Sequence, residues 1–155
     1  MAIKSFVGSR KKQLKEVDYV PVRVSDYMSR ELITFKPEQM VEDVIDKLIS
    51  NKISGGPVVN DNYELIGIIS EGDCLKQISD SRYYNMPMEQ HKVETRMMRN
   101  VETIDGNMNI FDAANKFLES KRRRFPIVIE GKLVGQISQK DILKAALTLK
   151  GHNWK

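Results

Sequence analysis

The sequence is poor in the residue types that most often carry chemistry. In 155 residues it has one cysteine, Cys74, one tryptophan, Trp154, and two histidines, His91 and His152. A lone thiol cannot close an internal disulfide, which fits a reducing compartment. The histidines lie far apart, and neither stands at ligand spacing from the cysteine or from acidic residues, so no metal site is expected. No Ser-His-Asp or paired-carboxylate arrangement is present, so neither an enzymatic activity nor a catalytic cofactor is expected. Apolar runs stop well short of the ~20 residues that a membrane span needs. The opening stretch, MAIKSFVGSRKKQLK, contains no signal-like apolar segment, so a cytoplasmic setting is expected.

Aromatic residues are scarce too, at 7%, which weakens the case for nucleic acid that a net charge of +4 raises. Single-strand binding surfaces combine basic grooves with aromatic platforms on which bases stack. Most of the excess charge lies in residues 1–20, where Lys4, Arg10, Lys11, Lys12 and Lys15 oppose only Glu16 and Asp18. That arm reads as a solvated basic tail, with nucleic-acid binding as the alternative. The remainder is close to neutral. With 41% apolar and 30% charged residues overall, the chain has the balance of a globular protein and the length for one compact core.

What the sequence does contain is a repeat. GIISEGD at 67–73 returns as GQISQKD at 135–141, with Gly, Ile, Ser and Asp at the same relative places, 68 residues on. Upstream, Met28 matches Met97, Thr34 matches Thr103, Asp43 matches Asp112, Lys47 matches Lys116 and Pro57 matches Pro126, all at an offset of 69. The offset changes where the second copy loses one residue, between Val59 and Leu65 of the first. Two units of this size each bury too little alone, so they are expected to pack together.

The periodicity orders the elements. Val41, Val44, Ile45, Leu48 and Ile49 follow helical spacing, as do Ile110, Ala113, Ala114, Phe117 and Leu118. Pro37 suits a first helical turn and Asp105 an N-cap. PVVN with ELIGIIS, and PIVIE with KLVGQIS, read as β-hairpins. DCLKQI and DILKAAL open closing helices, with Cys74, Leu75 and Ile78, and Ile142, Leu143 and Ala146, on the inner side. LITF and VETI serve as short leading strands, so one repeat is β-α-β-β-α. Met28, Met97 and Met98 are expected to fill core gaps.

The recurring Ser and Asp then fall at the N-cap and N3 positions of the closing helices. Two readings share that geography. S-x-x-D is a relative of the capping box, in which the serine and the acidic side chain satisfy each other's backbone amides. A helix N-terminus also offers free N–H groups and a positive dipole end to a phosphate, and a carboxylate there can hold a ribose diol. Both can hold at once.

Two such repeats, each with an apolar-Pro-apolar strand and a closing G-x-x-S-x-x-D, resemble the tandem CBS-domain pair, or Bateman module, over about residues 24–147. The resemblance implies an α+β fold: two β-α-β-β-α repeats packed by pseudo-two-fold symmetry into one module, with two clefts between them. It implies that those clefts take adenosine-containing ligands such as AMP, ADP, ATP or S-adenosylmethionine. Carried over by position, Ser70 and Asp73 serve one cleft and Ser138 and Asp141 the other, serine by the phosphates and aspartate on the ribose. Ile33, Thr34, Pro57 and Val58 would wall one adenine; Glu102, Thr103, Pro126 and Ile127 would wall the other. Glu102 departs from the apolar preference at its place.

The densest charge run, KRRR at 121–124, precedes Pro126. It reads as a solvated helix end, as a nucleic-acid contact, or as a phosphate clamp built on the planar arginine fork. In the resembling family, basic residues at this place contact phosphates, which would give Arg122, Arg123 and Arg124 that role. The divisions expected are a basic arm, 1–20, a first repeat, 21–78, a linker, 79–92, a second repeat, 93–147, and a tail, 148–155. In the linker, Tyr83 and Tyr84 would cover a hydrophobic edge. The family's habits imply a stand-alone regulatory module, not an enzyme, that forms a homodimer through its helices and acts through an unidentified effector protein or its own assembly. The alternatives are a structural dimerisation module with empty clefts, or nucleic-acid binding through the arm and KRRR.

Overall fold

The computed structural model describes residues 22–83 and 91–150. The basic arm, Tyr84 and Trp154 lie outside the described residues. The first repeat contains helix α1 (Val41–Asn51), strands β1 (Gly55–Val59) and β2 (Leu65–Ser70), and helix α2 (Glu71–Tyr83). After the short helix α3 (Val93–Arg96), the second repeat contains β3 (Ile104–Asp105), α4 (Ile110–Ser120), β4 (Arg124–Ile129), β5 (Lys132–Ser138) and α5 (Gln139–Lys150). The fold is α+β. Helix α2 runs to Tyr83, so the first residues of the expected linker are helical.

β1 and β2 form an antiparallel hairpin, and β4 and β5 form its counterpart. Each hairpin has a register shift close to its turn, at Val58/Val59 and, at the matching position, Ile127/Val128. The leading strands are shorter than expected. In the second repeat β3 pairs in parallel with β4, Ile104 facing Ile127. In the first, LITF contributes only the bridge Phe35–Val58. The ladder stops there because Gln39 Oε1 takes the Lys36 amide at 2.7 Å and Pro37 has no N–H to offer.

Helix starts also differ from expectation. Pro37 lies in the turn ahead of α1, whose N-cap is Met40. Asn109, not Asp105, caps α4, accepting from Phe111 N at 2.8 Å. Asp105 instead turns the chain after β3, its carboxylate accepting from Asn107 N at 2.8 Å. The inner faces of the closing helices are rotated as well. Cys74 and Gln77 are buried on α2, and Ala145 and Leu149 on α5, whereas Leu75 is 66% exposed and Leu143 67%. Ile49 and Leu118, at the ends of the amphipathic runs, also face outward.

The two cores are completed reciprocally. Val24 and Met28, which open the first repeat, pack into the second core with Ile104, Ile110, Phe117, Phe125, Ile127 and Ile137. Val93 and Met97, from the segment that opens the second repeat, pack into the first core with Phe35, Val41, Val44, Leu48, Val58 and Ile69. The bridges show the same exchange: Ser29 pairs with Gln136 and Met98 with Ile68, Arg23 with Asn109 and Lys92 with Met40. Each bridge maps onto its partner by the repeat offset. Met28 and Met97 fill the core as expected, while Met98 remains 41% exposed.

This exchange explains the glycine that opens each motif. A Cβ on Gly67 would come 2.6 Å from Met97 Sδ and 2.9 Å from the Met98 carbonyl oxygen. A Cβ on Gly135 would come 2.7 Å from Met28 Sδ and 2.6 Å from the Ser29 carbonyl oxygen. The crossing segment can lie against the hairpin only where no side chain stands.

Candidate ligand-binding cleft

Each strand-to-helix junction is closed by a reciprocal cap. The Ser70 amide donates to Asp73 Oδ2 at 2.9 Å, and the Asp73 amide donates to Ser70 Oγ at 3.4 Å. The second junction repeats this, Ser138 N to Asp141 Oδ2 at 2.9 Å and Asp141 N to Ser138 Oγ at 3.2 Å. The first has one bond more, from Ser70 Oγ to Asp73 Oδ2 at 3.0 Å. The capping reading of S-x-x-D is thus realised in both repeats. It uses only Oδ2 of each aspartate. Among the described residues, Oδ1 of Asp73 and of Asp141 takes no hydrogen bond.

A cavity of about 250 Å³ lies between the repeats. The first repeat lines it with Ser54, Gly55, Gly56, Pro57, Ile68 and Ser70, and the second with Arg123, Arg124, Pro126, Gly135 and Gln136. It therefore joins Ser70 and the N-terminal end of α2 to the arginine run of the other repeat. Neither Arg123 nor Arg124 has an ion-pair partner among the described residues. Two unpaired guanidinium groups facing a helix N-terminus favour an anion.

The basic run divides among three tasks. Lys121 ends α4 in a left-handed conformation, as Lys52 ends α1. Arg122 Nε donates to Glu102 Oε2 at 3.1 Å, and Arg123 and Arg124 reach the cavity. Of the residues assigned by resemblance, the cavity takes Pro57, Ser70, Arg123, Arg124 and Pro126. Val58 and Ile127 are fully buried in the two cores, so only their backbone is available to a ligand. Ile33, Thr34 and Thr103 are half-buried on the leading segments, and the Thr103 carbonyl accepts from Lys116 Nζ at 3.2 Å. Asp73, Ser138, Asp141 and Arg122 stand outside the lining of this cavity, Asp73 one helical turn behind Ser70, to which it is hydrogen-bonded.

Sequence reasoning missed the Gly55-Gly56 pair as part of the wall. Its signal was composition: two glycines stand where the second repeat has Arg124 and Phe125. It also missed Gln136, a polar residue at the place that Ile68 holds in the first repeat. A third omission lies behind the cleft. Gln77, wholly buried, accepts from Arg96 Nε, and Arg96 Nη1 reaches Asp80 Oδ2 at 2.7 Å. This network ties α3 to α2, whereas the second repeat has Tyr27, Ala145 and Thr148 at the matching places. Burial, reinforced by the Asp26 carboxylate, raises the Tyr27 phenol above its usual value. On α2, burial and then the charges of Asp73 and Glu71 raise the Cys74 thiol. Among the described residues, no cluster of His, Cys, Asp and Glu could hold a metal ion, and no helix is long and apolar enough to cross a membrane.

Comparison with known proteins covers most of this chain. A family model for the CBS domain matches residues 24–80 and 92–148. The chain is 28% identical over 153 residues to the CBS domain-containing protein CBSX2, chloroplastic, of Arabidopsis thaliana, covering 82% of this chain. It spans 64% of that protein's length, less than two thirds. A crystal structure of CBSX2 in complex with AMP superimposes with a TM-score of 0.71 at 31% identity, covering 84% of this chain and 99% of that one. The CBS domain pair of protein MJ0100, in complex with methylthioadenosine and S-adenosyl-L-methionine, superimposes with a TM-score of 0.63 at 25% identity, covering 81% and 96%.

Proposed function

Because this chain belongs to the CBS-domain family, we propose that it is a regulatory module that binds an adenosine-containing nucleotide in the cleft between its two repeats. The observation that carries this reading is the cavity that joins Ser70 and the N-terminus of α2 to Arg123 and Arg124 of the other repeat. In this reading Asp73 Oδ1 holds a ribose hydroxyl at the edge of the cavity while Oδ2 keeps the cap. The helix end and the arginines receive phosphate. Pro57, Ile68 and Pro126 supply apolar wall. Complexes of CBSX2 with AMP and of the MJ0100 pair with S-adenosyl-L-methionine support this ligand class.

The module's output is a change in assembly or in a partner protein, without catalytic chemistry of its own. Apolar side chains left exposed on the helices support pairing into a homodimer: Ile49, Leu75 and Ile78 on one repeat, Leu118, Leu143 and Leu147 on the other. A cytoplasmic setting is part of the same reading, supported by the free thiol of Cys74.

Isothermal titration with AMP, ATP, S-adenosylmethionine and NAD, alongside a short RNA, tests it. Saturable binding of an adenosine compound is the expected result. Heat from the RNA alone would move the function to nucleic acid. Silence from every ligand, with a dimer by light scattering, would leave a structural dimerisation module.

A further inference from the structure

One difference between the repeats lies beside the two motif aspartates. Ile33 and Ile53 of the first repeat are half-buried against its core. At the same places, 69 residues on, the second repeat has Glu102 and Arg122, joined by an ion pair of 3.1 Å. Both pairs stand beside the N-terminus of a closing helix. In the first repeat Glu71 N donates to the carbonyl of Ser54, next to Ile53, at 2.9 Å. In the second, Gln139 Nε2 donates to the Arg122 carbonyl at 3.1 Å, and Gln139 N to the Arg123 carbonyl at 3.2 Å. An apolar pair beside Asp73 has thus become a charged pair beside Asp141.

We infer that the Glu102–Arg122 ion pair is a specificity determinant that keeps adenine nucleotides out of the Asp141 cleft, so that each chain binds a single nucleotide, in the Asp73 cleft. This rests on the nucleotide reading given above. The two side chains remain 36% and 42% exposed, so water solvates both charges. A purine ring laid over them strips that water, and the attraction already made within the pair does not rise enough to offset the loss. The pairing also occupies Arg122, so its charge is no longer free for phosphate. Ile33 and Ile53 impose no such cost. Arg123 and Arg124, the unpaired cations, face the Ser70 cavity. Ser70 is the cap partner of Asp73, so the apolar pair and the unpaired cations both favour the Asp73 cleft.

Titration of ATP, followed by calorimetric stoichiometry, tests this. The wild-type chain binds one ATP, Glu102→Ile/Arg122→Ile gains a second site, and Ile33→Glu/Ile53→Arg weakens ATP by about tenfold or more while remaining folded by circular dichroism. Two ATP per wild-type chain overturn the inference alone, and that count needs no variant. A folded Glu102→Ile/Arg122→Ile protein that still binds only one also overturns it. No binding by the wild type and by Glu102→Ile/Arg122→Ile alike overturns the nucleotide reading itself, and this inference with it.

Discussion

Glu64 forms an antiparallel bridge with Lys132, the residue that holds its own place in the other repeat. The axis relating the two repeats therefore passes between these side chains, at the hairpin turns. The backbone seals the contact, with Leu133 N donating to the Tyr63 carbonyl at 3.1 Å. On either side of this axis the opening segments cross, Met28 to Gly135 and Met97 to Gly67. Each core thus contains residues from both repeats, and the cavity is likewise lined from both.

The first prediction concerns that crossing. Gly67→Ala and Gly135→Ala each place a methyl group against a methionine sulfur and a backbone carbonyl. The sulfur can shift, but the carbonyl is fixed by the bridge beside it, Ile68–Met98 or Ser29–Gln136. Each substitution is expected to destabilise the fold by about 1–3 kcal/mol, the usual cost of overpacking. Chemical denaturation checks this. A midpoint unchanged in both variants would show that the crossing segments are not tightly seated.

The second prediction separates capping from ligand binding. Asp73→Asn keeps an acceptor for the Ser70 amide but loses the charge. Stability is expected to change by about 1 kcal/mol or less, within the range of cap substitutions. Nucleotide affinity is expected to fall about 10–150-fold, because charge-assisted bonds to a ribose contribute about 1.5–3 kcal/mol. Melting without ligand and titration with AMP give the two readings. A lowered melting point with unchanged affinity would leave Asp73 a cap and nothing more.

How much of this was legible follows from what each signal encodes. Helix period and turn chemistry are local, so both amphipathic helices and both hairpins could be read, including the residue lost in the second turn. S-x-x-D is local too, and both caps form. The exchange of Met28 and Met97 is not local. Nothing in a repeat pattern says which hairpin an opening segment covers. The closing helices misled for another reason: Leu75 and Leu143 are apolar but face outward, while Gln77 is polar but buried on Arg96. Hydrophobicity marks a face to be covered, by a core or by a partner, without saying which. In KRRR, four adjacent cations take different tasks because Lys121 turns left-handed, Arg122 pairs with Glu102, and only Arg123 and Arg124, at the entry to β4, reach the cavity.

The third prediction is a pH dependence. The Cys74 thiol titrates above its ordinary 9.0 because of burial first, and then the charges of Asp73 and Glu71. The folded chain therefore keeps a proton that the unfolded chain releases. The stabilisation is fully present below pH 9.0 and is lost as pH rises through the higher folded value. Unfolding free energies from pH 7 to 10 should fall more steeply for the wild type than for Cys74→Ala. Iodoacetamide should label the native thiol far more slowly than the denatured one, since the thiolate is the nucleophile. Equal slopes for the two proteins would remove Cys74 from the pH response.

The last prediction tests the arginines of the cavity. Arg123 and Arg124 belong to the second repeat yet face Ser70 of the first, and no carboxylate neutralises them among the described residues. The matching stretch of the first repeat, Ser54-Gly55, carries no charge. Each phosphate added to a nucleotide in the Ser70 cleft meets this positive field, so ATP should bind more tightly than AMP. Both side chains are exposed, so the field is screened, and the ATP advantage should shrink as salt rises and the Debye length falls from about 10 Å at 0.1 M. Arg123→Ala/Arg124→Ala should weaken ATP by about tenfold and AMP much less, with little change in melting temperature because neither side chain supports the core. Titrations of both nucleotides at low and high salt decide the matter. If the double variant keeps the wild-type ratio of ATP to AMP affinity and the same salt dependence, the phosphates lie elsewhere, and these arginines serve only as a solvated end to the strand.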